Sequence, residues 1–152
     1  PLWAVFFDTL RTLGWSEGNN LEFIVRATGG DVRKVPGLAN ELLNAGVELV
    51  IAADTLFAQE LHRRTKTVPI IVTGSADPVA AGLVSSLARP GGNVTGLSSN
   101  INELAGKYME FAREIVPGLR RFAVMFNPEL PLSVRGFQRF STVAQTVGVE
   151  VI

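Results

Sequence analysis

The chain has 152 residues, 47% of them hydrophobic and 18% charged, with 14 basic side chains against 14 acidic. That length suits one domain with a buried core, and a net charge of zero argues against a nucleic-acid binder, which carries a basic excess. Without cysteine and with one histidine, His62, the chain excludes disulfides, thiolate or multi-histidine metal sites and a cysteine nucleophile.

Trp3, Phe6, Phe7, Leu10 and Leu13 fall on one helical face, with Pro1 suited to the first turn and Gly14 placed to stop the helix. Leu21 to Arg26 reads as a strand, and Thr28-Gly29-Gly30-Asp31 as a turn. Val35, Leu38, Ala39, Leu42 and Leu43 predict a second amphipathic helix, ended near Gly46. Val47 to Ala53 is a near-continuous apolar run, as expected of a strand covered on both faces. A helix from Thr55 to Arg64 and a buried strand from Val68 to Thr73 follow. Pro78 to Leu87 predicts a short helix, Arg89 to Asn93 a turn and Val94 to Leu97 a short strand.

Asn102 to Ile115 is the longest predicted helix, ended by Pro117-Gly118, and Arg121 to Phe126 is another predicted buried strand. Val134, Phe137, Val143, Ala144 and Val147 imply a helix closed by Gly148, and Val149 to Ile152 begins a last strand. Strands alternating with helices predict an α/β fold with a doubly wound parallel sheet. Such sheets open on an interior strand, whereas this pattern opens on a helix and stops on a strand. It therefore reads as an internal piece of a longer protein, one lobe plus the start of a second. No apolar run is long enough to span a bilayer, and Pro1-Leu2-Trp3 lacks a basic n-region and a cleavage site.

No dinucleotide fingerprint, P-loop or serine-hydrolase elbow is present. Of the four aspartates, Asp54 and Asp77 each follow a buried strand at its carboxyl end, where open α/β sheets place their ligands. Each also stands where it would cap the next helix; for Asp77, directly before Pro78, the cap is favoured, and for Asp54 the two readings balance. Thr55, Gly74, Ser75, Ser98, Ser99 and Asn127 lie just after predicted strands as well. Their hydroxyl, amide and backbone groups suit a polar ligand, and helix N–H groups nearby suit a carboxylate, although ordinary turn chemistry accounts for any one of them.

His62, among Arg63, Arg64 and Lys66, is expected on the surface rather than as a catalytic base. The Arg63-Arg64 and Arg120-Arg121 pairs are expected to be solvated or near helix C-termini, and Trp3 and Trp15 to belong to the core.

From Ala76-Asp77-Pro78-Val79-Ala80-Ala81-Gly82-Leu83 through Ser85-Ser86-Leu87-Ala88-Arg89-Pro90-Gly91-Gly92-Asn93-Val94-Thr95-Gly96-Leu97-Ser98 the sequence resembles the ABC transporter substrate-binding proteins of the tryptophan/tyrosine-binding type. The likeness extends to Gly14-Trp15-Ser16-Glu17-Gly18-Asn19-Asn20, to Glu103-Leu104-Ala105-Gly106-Lys107 and to Ile115-Val116-Pro117-Gly118-Leu119. The resemblance implies a periplasmic-binding-protein type 1 like fold of two α/β lobes closing on a small ligand. Residues 1–98 would be the first lobe without its opening strand, and residues 99–152 the crossover and start of the second lobe. It further places Asp54-Thr55, Gly74-Ser75, Ser98-Ser99 and Asn127-Pro128 at the cleft. Where the family often has a small Gly-Thr-Pro-like segment this chain has Ala53-Asp54-Thr55-Leu56, so Asp54 would select a ligand amine.

The implied role is capture of a small amino acid-like or aromatic metabolite without cofactor, metal or catalysis. A membrane permease would be the partner, in a periplasmic or extracytoplasmic setting with or without a lipid anchor. A ligand-sensing domain of a signalling protein keeps the same fold, while an α/β enzyme lacks a recognisable nucleophile. If the segment folds alone, its open strand edges predict a homodimer or a swapped strand.

Overall fold

A computed structural model of the chain describes residues 2–99 and 104–152. Pro1, the expected helix start at Asn102-Glu103 and residues 100–103 of the expected crossover lie outside the described residues. The chain divides into two compact units, residues 1–45 and 46–152.

In the first unit, α1 (Leu2–Thr12) ends where the sequence places Gly14, and α2 (Val35–Asn44) follows a 3₁₀ turn (Val32–Lys34) capped by Asp31. The apolar face of α1 is an aromatic cluster. Phe6 and Phe7 each meet Phe23 edge-on, at 6.0 and 4.9 Å, and Trp3 packs on Phe6 at 5.7 Å. Trp3 is nevertheless 61% exposed and Trp15 49%, so neither is the core residue expected. The rings of Phe6 and Phe7 cover one side of Trp3, and Trp15 stands in the turn beyond the helix, its backbone N–H on Leu10 O at 2.9 Å. The predicted strand 21–26 is not a strand here: beyond a single bridge between Glu17 and Leu21, these residues form no ladder. Apolar sequence alone does not make a strand, because its N–H and C=O groups need a paired neighbour.

The second unit holds two parallel sheets. β1 (Val50–Ala52), β2 (Ile70–Ser75) and β3 (Val94–Ser98) lie side by side in that order, with α3 (Thr55–Arg64) between the first two in sequence. The buried side chains here are those of the apolar runs: Val50, Ala52, Ala58, Leu61, Ile70, Val72, Leu83 and Val94. β4 (Arg121–Phe122) pairs with β5 (Glu150–Val151), flanked by α4 (Ala105–Ile115) and α5 (Pro131–Thr146). Met109, Ala144 and Val149 form a second core with Phe122, Phe140 and Val151 around it.

Two expectations fail in this unit. Residues 78–87 do not form a helix. Asp77 Oδ1 accepts from Ala80 N at 2.9 Å and starts one helical turn, which Gly82 ends at φ +70°. Leu83 N then donates to Pro78 O at 2.9 Å and Gly82 N to Val79 O at 3.0 Å, a closing pattern that needs a left-handed residue at this position. Residues 121–126 are not a buried strand either. The ladder covers Arg121 and Phe122, and although Phe122 packs on the second core, Met125 is 100% exposed. Alternate strand side chains point to opposite faces, and only one face is covered here. Arg121 stands on this strand and is exposed, in keeping with the solvated reading of the Arg120-Arg121 pair.

The β2–β3 pairing carries a bulge. Val72 is opposite Gly96 and Ser75 opposite Ser98, so β2 spends three steps where β3 spends two. Burial along β2 records the slip: Ile70 and Val72 are buried, Thr73 and Gly74 exposed, and Ser75 buried again. Gly96, at φ +148°, makes this approach possible, since a Cβ there would lie 1.9 Å from Val72 O. Gly96→Ala is therefore expected to cost more than about 2 kcal/mol. A urea-unfolding midpoint equal to that of the parent would contradict the close approach.

Candidate functional site

Parallel strands end on one edge, and β1, β2 and β3 bring most of the polar residues singled out from the sequence to that edge. Asp54 directly follows Ala53 at the end of β1 and caps α3, its Oδ1 accepting from Phe57 N at 3.0 Å. The carboxylate is exposed and has a second oxygen to offer. Thr55 begins α3, 5% exposed, and its hydroxyl shares a 3.0 Å hydrogen bond with that of Ser75, the fully buried last residue of β2. Ser75 O in turn accepts from Ser99 N at 2.9 Å and from Ser99 Oγ at 3.3 Å. Ser98 ends β3 opposite Ser75, and Gly74 lies so close to the end of β1 that a Cβ would stand 3.3 Å from Ala53 O.

These residues make a chain of small polar groups: the start of α3, the Thr55 and Ser75 hydroxyls, and Ser99 beyond β3. The bulge creates it. In an unbroken pleat Ser75 would fall on the face of Ile71 and Thr73; the extra residue turns it to the face of Ile70 and Val72, where Thr55 waits. The positive end of the α3 dipole opens onto the same edge.

Asp77 caps the turn that follows β2, as the cap reading favoured. Asn127 lies beyond β4, on the second sheet, where its Oδ1 accepts from Glu129 N at 2.9 Å in a tight side-chain turn. The structure thus gathers six of the eight chosen positions, with Asp77 beside them and Asn127 apart. Three residues at this edge were not singled out from the sequence. Thr73 Oγ1 lies 3.4 Å from Ala53 O, Gln59 Nε2 donates to Ala81 O at 2.8 Å, and Arg135 Nη1 donates to Ala80 O at 3.2 Å. Nothing in the spacing of Gln59 or Arg135 marks them, because both act on backbone carbonyls far away in sequence.

His62 is at the other end of the sheet. It is half-buried rather than on the surface, with Nδ1 3.0 Å from Asn93 Oδ1. The Asn93 amide donates to Thr65 O and Val68 O, so its oxygen is left to accept the imidazole N–H. His62 is therefore a clip between the end of α3 and the start of β3. Arg63 and Arg64 lie in the last turn of α3, near its C-terminus as expected, and both hold Glu60 while Arg63 stays exposed; the Arg63 guanidinium, 2.8 Å away, draws the Glu60 carboxyl below the usual carboxylate range. No group of metal-ligating side chains occurs among the described residues.

A groove of about 710 Å³ lies elsewhere, between α4, α5 and residues 122–125. Tyr108, Phe111, Ile115, Met125 and Phe137 line it, and its almost wholly apolar wall offers little to orient a polar ligand.

Parallel strands alternating with helices define the class, an α/β fold of the periplasmic-binding-protein kind. Residues 4–152 match the family of ABC transporter substrate binding proteins, and the chain belongs to that family. A tyrosine-binding protein of Clostridioides difficile is 32% identical over 122 residues, which are 80% of this chain and 35% of that protein. A conserved domain protein of Vibrio cholerae superposes with a TM-score of 0.84 at 31% identity, over 96% of this chain and 49% of the other. An ABC domain from Streptococcus pneumonia in complex with L-Trp superposes with a TM-score of 0.81 at 28% identity, over 95% of this chain and 48% of the other. The chain spans about a third to a half of the length of these proteins.

Ser75→Ala is expected to cost about 1–3 kcal/mol by leaving the buried Thr55 hydroxyl without its partner. Adding Thr55→Val should recover much of that loss in a double-mutant cycle of denaturation free energies. Strictly additive losses would mean that the hydroxyl pair contributes nothing.

Proposed function

We propose that the chain is part of an extracytoplasmic solute receptor of an ABC transporter and captures an amino acid, aromatic in the first instance. In this reading residues 1–98 belong to a first lobe, residues 99–152 form the crossover and the start of a second, and the ligand lies between them. The observation that carries it is the polar edge built by Thr55, Ser75 and Ser99 at the start of α3, in a chain of this family. The three hydroxyls are spent within this edge and hold the start of α3 in place, whose first N–H groups suit a ligand carboxylate without a buried countercharge. The second oxygen of Asp54 is then free to receive a ligand amine while the first keeps its cap. Relatives named for tyrosine binding and solved with L-Trp support the aromatic choice.

Capture proceeds without chemistry. The single imidazole is a structural clip at the far end of the sheet, and the two aspartates near the edge are helix-type caps. Closure of the lobes on the ligand would produce the shape that a permease in the membrane recognises. Among the described residues no helix is long and apolar enough to cross a membrane.

Titration calorimetry on the intact protein tests this reading with L-tyrosine, L-tryptophan and their deaminated analogues. Amino acids should bind, and Asp54→Asn should weaken them about tenfold while sparing the deaminated analogues. Equal weakening of both classes removes Asp54 from recognition, and no heat with any amino acid overturns the capture reading.

A further inference from the structure

The helical turn after β2 satisfies most of its own backbone. Asp77 O accepts from Ala81 N, Pro78 O from Leu83 N and Val79 O from Gly82 N, at 3.0, 2.9 and 3.0 Å. The next two carbonyls, of Ala80 and Ala81, close the turn, and the end of a helical turn is where partial negative charge gathers. Each is taken by a side chain from a different element. Gln59 of α3, a helix of the three-stranded sheet, donates to Ala81 O at 2.8 Å. Arg135 of α5, a helix of the two-stranded sheet, donates to Ala80 O at 3.2 Å across a separation of 55 residues.

The two contacts act differently. The Gln59 bond stays within one sheet and its own helix, fixing the turn in place. The Arg135 bond leaves its own layer and ties the second sheet's helix to the loop beside the candidate site. A guanidinium is well suited to such a contact, because it carries several donors, is always charged, and favours the negative end of a helical turn. Arg135 is also exposed, so water competes with the bond and it can open.

We infer that Arg135 is a latch between the two lobes, biasing them toward the closed arrangement before ligand arrives and slowing ligand escape afterwards. This rests on the two-lobe capture reading above. An exposed charge-assisted hydrogen bond shifts such an equilibrium by roughly 3- to 10-fold, a bias rather than a lock. Ligand exchange therefore remains possible. Because the bond stabilises the closed form, its loss acts mainly on dissociation and little on the first encounter.

The absence of native cysteine makes a clean distance measurement available. Spin labels on Ala88→Cys, in the crossover between β2 and β3, and on Gln145→Cys, at the end of α5, occupy two exposed positions flanking the contact. In ligand-free intact protein, electron–electron double resonance should show a longer and broader distance distribution for Arg135→Ala than for the parent. Arg135→Lys, which keeps the charge but offers a point donor, should fall between them and shows that the change is not a loss of fold. Stopped-flow displacement of L-tyrosine should give dissociation about 3- to 10-fold faster in Arg135→Ala, with association changed less than about twofold. Identical distance distributions in Arg135→Ala and the parent would overturn the latch. A longer distance with unchanged dissociation would overturn its part in ligand retention. Should L-tyrosine and L-tryptophan not bind at all, the capture reading falls, while the ligand-free distances still decide on the latch.

Discussion

The candidate site depends on a single backbone approach, that of Gly96 to Val72 across the β2–β3 ladder. A side chain at residue 96 would overlap the Val72 carbonyl, so only glycine lets β3 run this close where β2 takes its extra residue. The extra residue reverses the inside–outside parity of β2 for its last position. Ser75 thereby leaves the exposed alternation of the strand end and becomes a buried hydroxyl against the first residue of α3. A polar group placed in a buried position must find a partner, and Thr55 supplies it. From Ser75 the order passes through its carbonyl to Ser99, fixing the chain as it leaves the sheet. One steric constraint thus sets the conformation of three site residues.

The electrostatics of this edge follow from caps. Asp54 and Asp77 each accept a backbone N–H from the turn they begin, which holds each carboxylate in one orientation, with no ion pair to either among the described residues. The ion pairs of α3 are kept at its other end, where Glu60 meets Arg63 and Arg64, and where His62 and Asn93 clip the helix to the start of β3. The sheet is therefore stapled at its amino edge by the His62 and Asn93 contacts, beside ion pairs internal to α3. Its carboxyl edge is left to small hydroxyls, a helix start and an exposed carboxylate. That division leaves the carboxyl edge polar but lightly charged.

Where the sequence patterns misled, the missing ingredient was a covering neighbour in two cases and a local backbone stop in a third. Leu21 to Arg26 has strand composition, but a strand exists only as a ladder. Pro78 to Leu87 has a helix start and apolar spacing, yet Gly82 in the left-handed region ends the helix after one turn, and Ser85 then donates to Pro90 O. Trp3 has core character, and its helix presents it to phenylalanine rings on one side only. Periodicity reports which face is apolar, not whether anything covers it.

Apart from the strand at 21–26 and the helix at 78–87, the order of helices and parallel strands, the glycine stops at Gly14 and Gly148, the length of α3 and the capping role of Asp77 were legible from residue types, because each rests on local backbone chemistry or on a short hydrophobic period. The family likeness was legible too, in the run from Ala76 to Ser98. The bulge that turns Ser75 inward, the hydroxyl pair it forms, the imidazole clip at Asn93 and the reach of Arg135 to Ala80 O came only with the tertiary structure. These are contacts between residues 20, 31 and 55 positions apart, formed where strands and helices are already side by side. No local pattern encodes them, since the geometry that brings their atoms within hydrogen-bonding distance belongs to the packed sheets and not to any one segment.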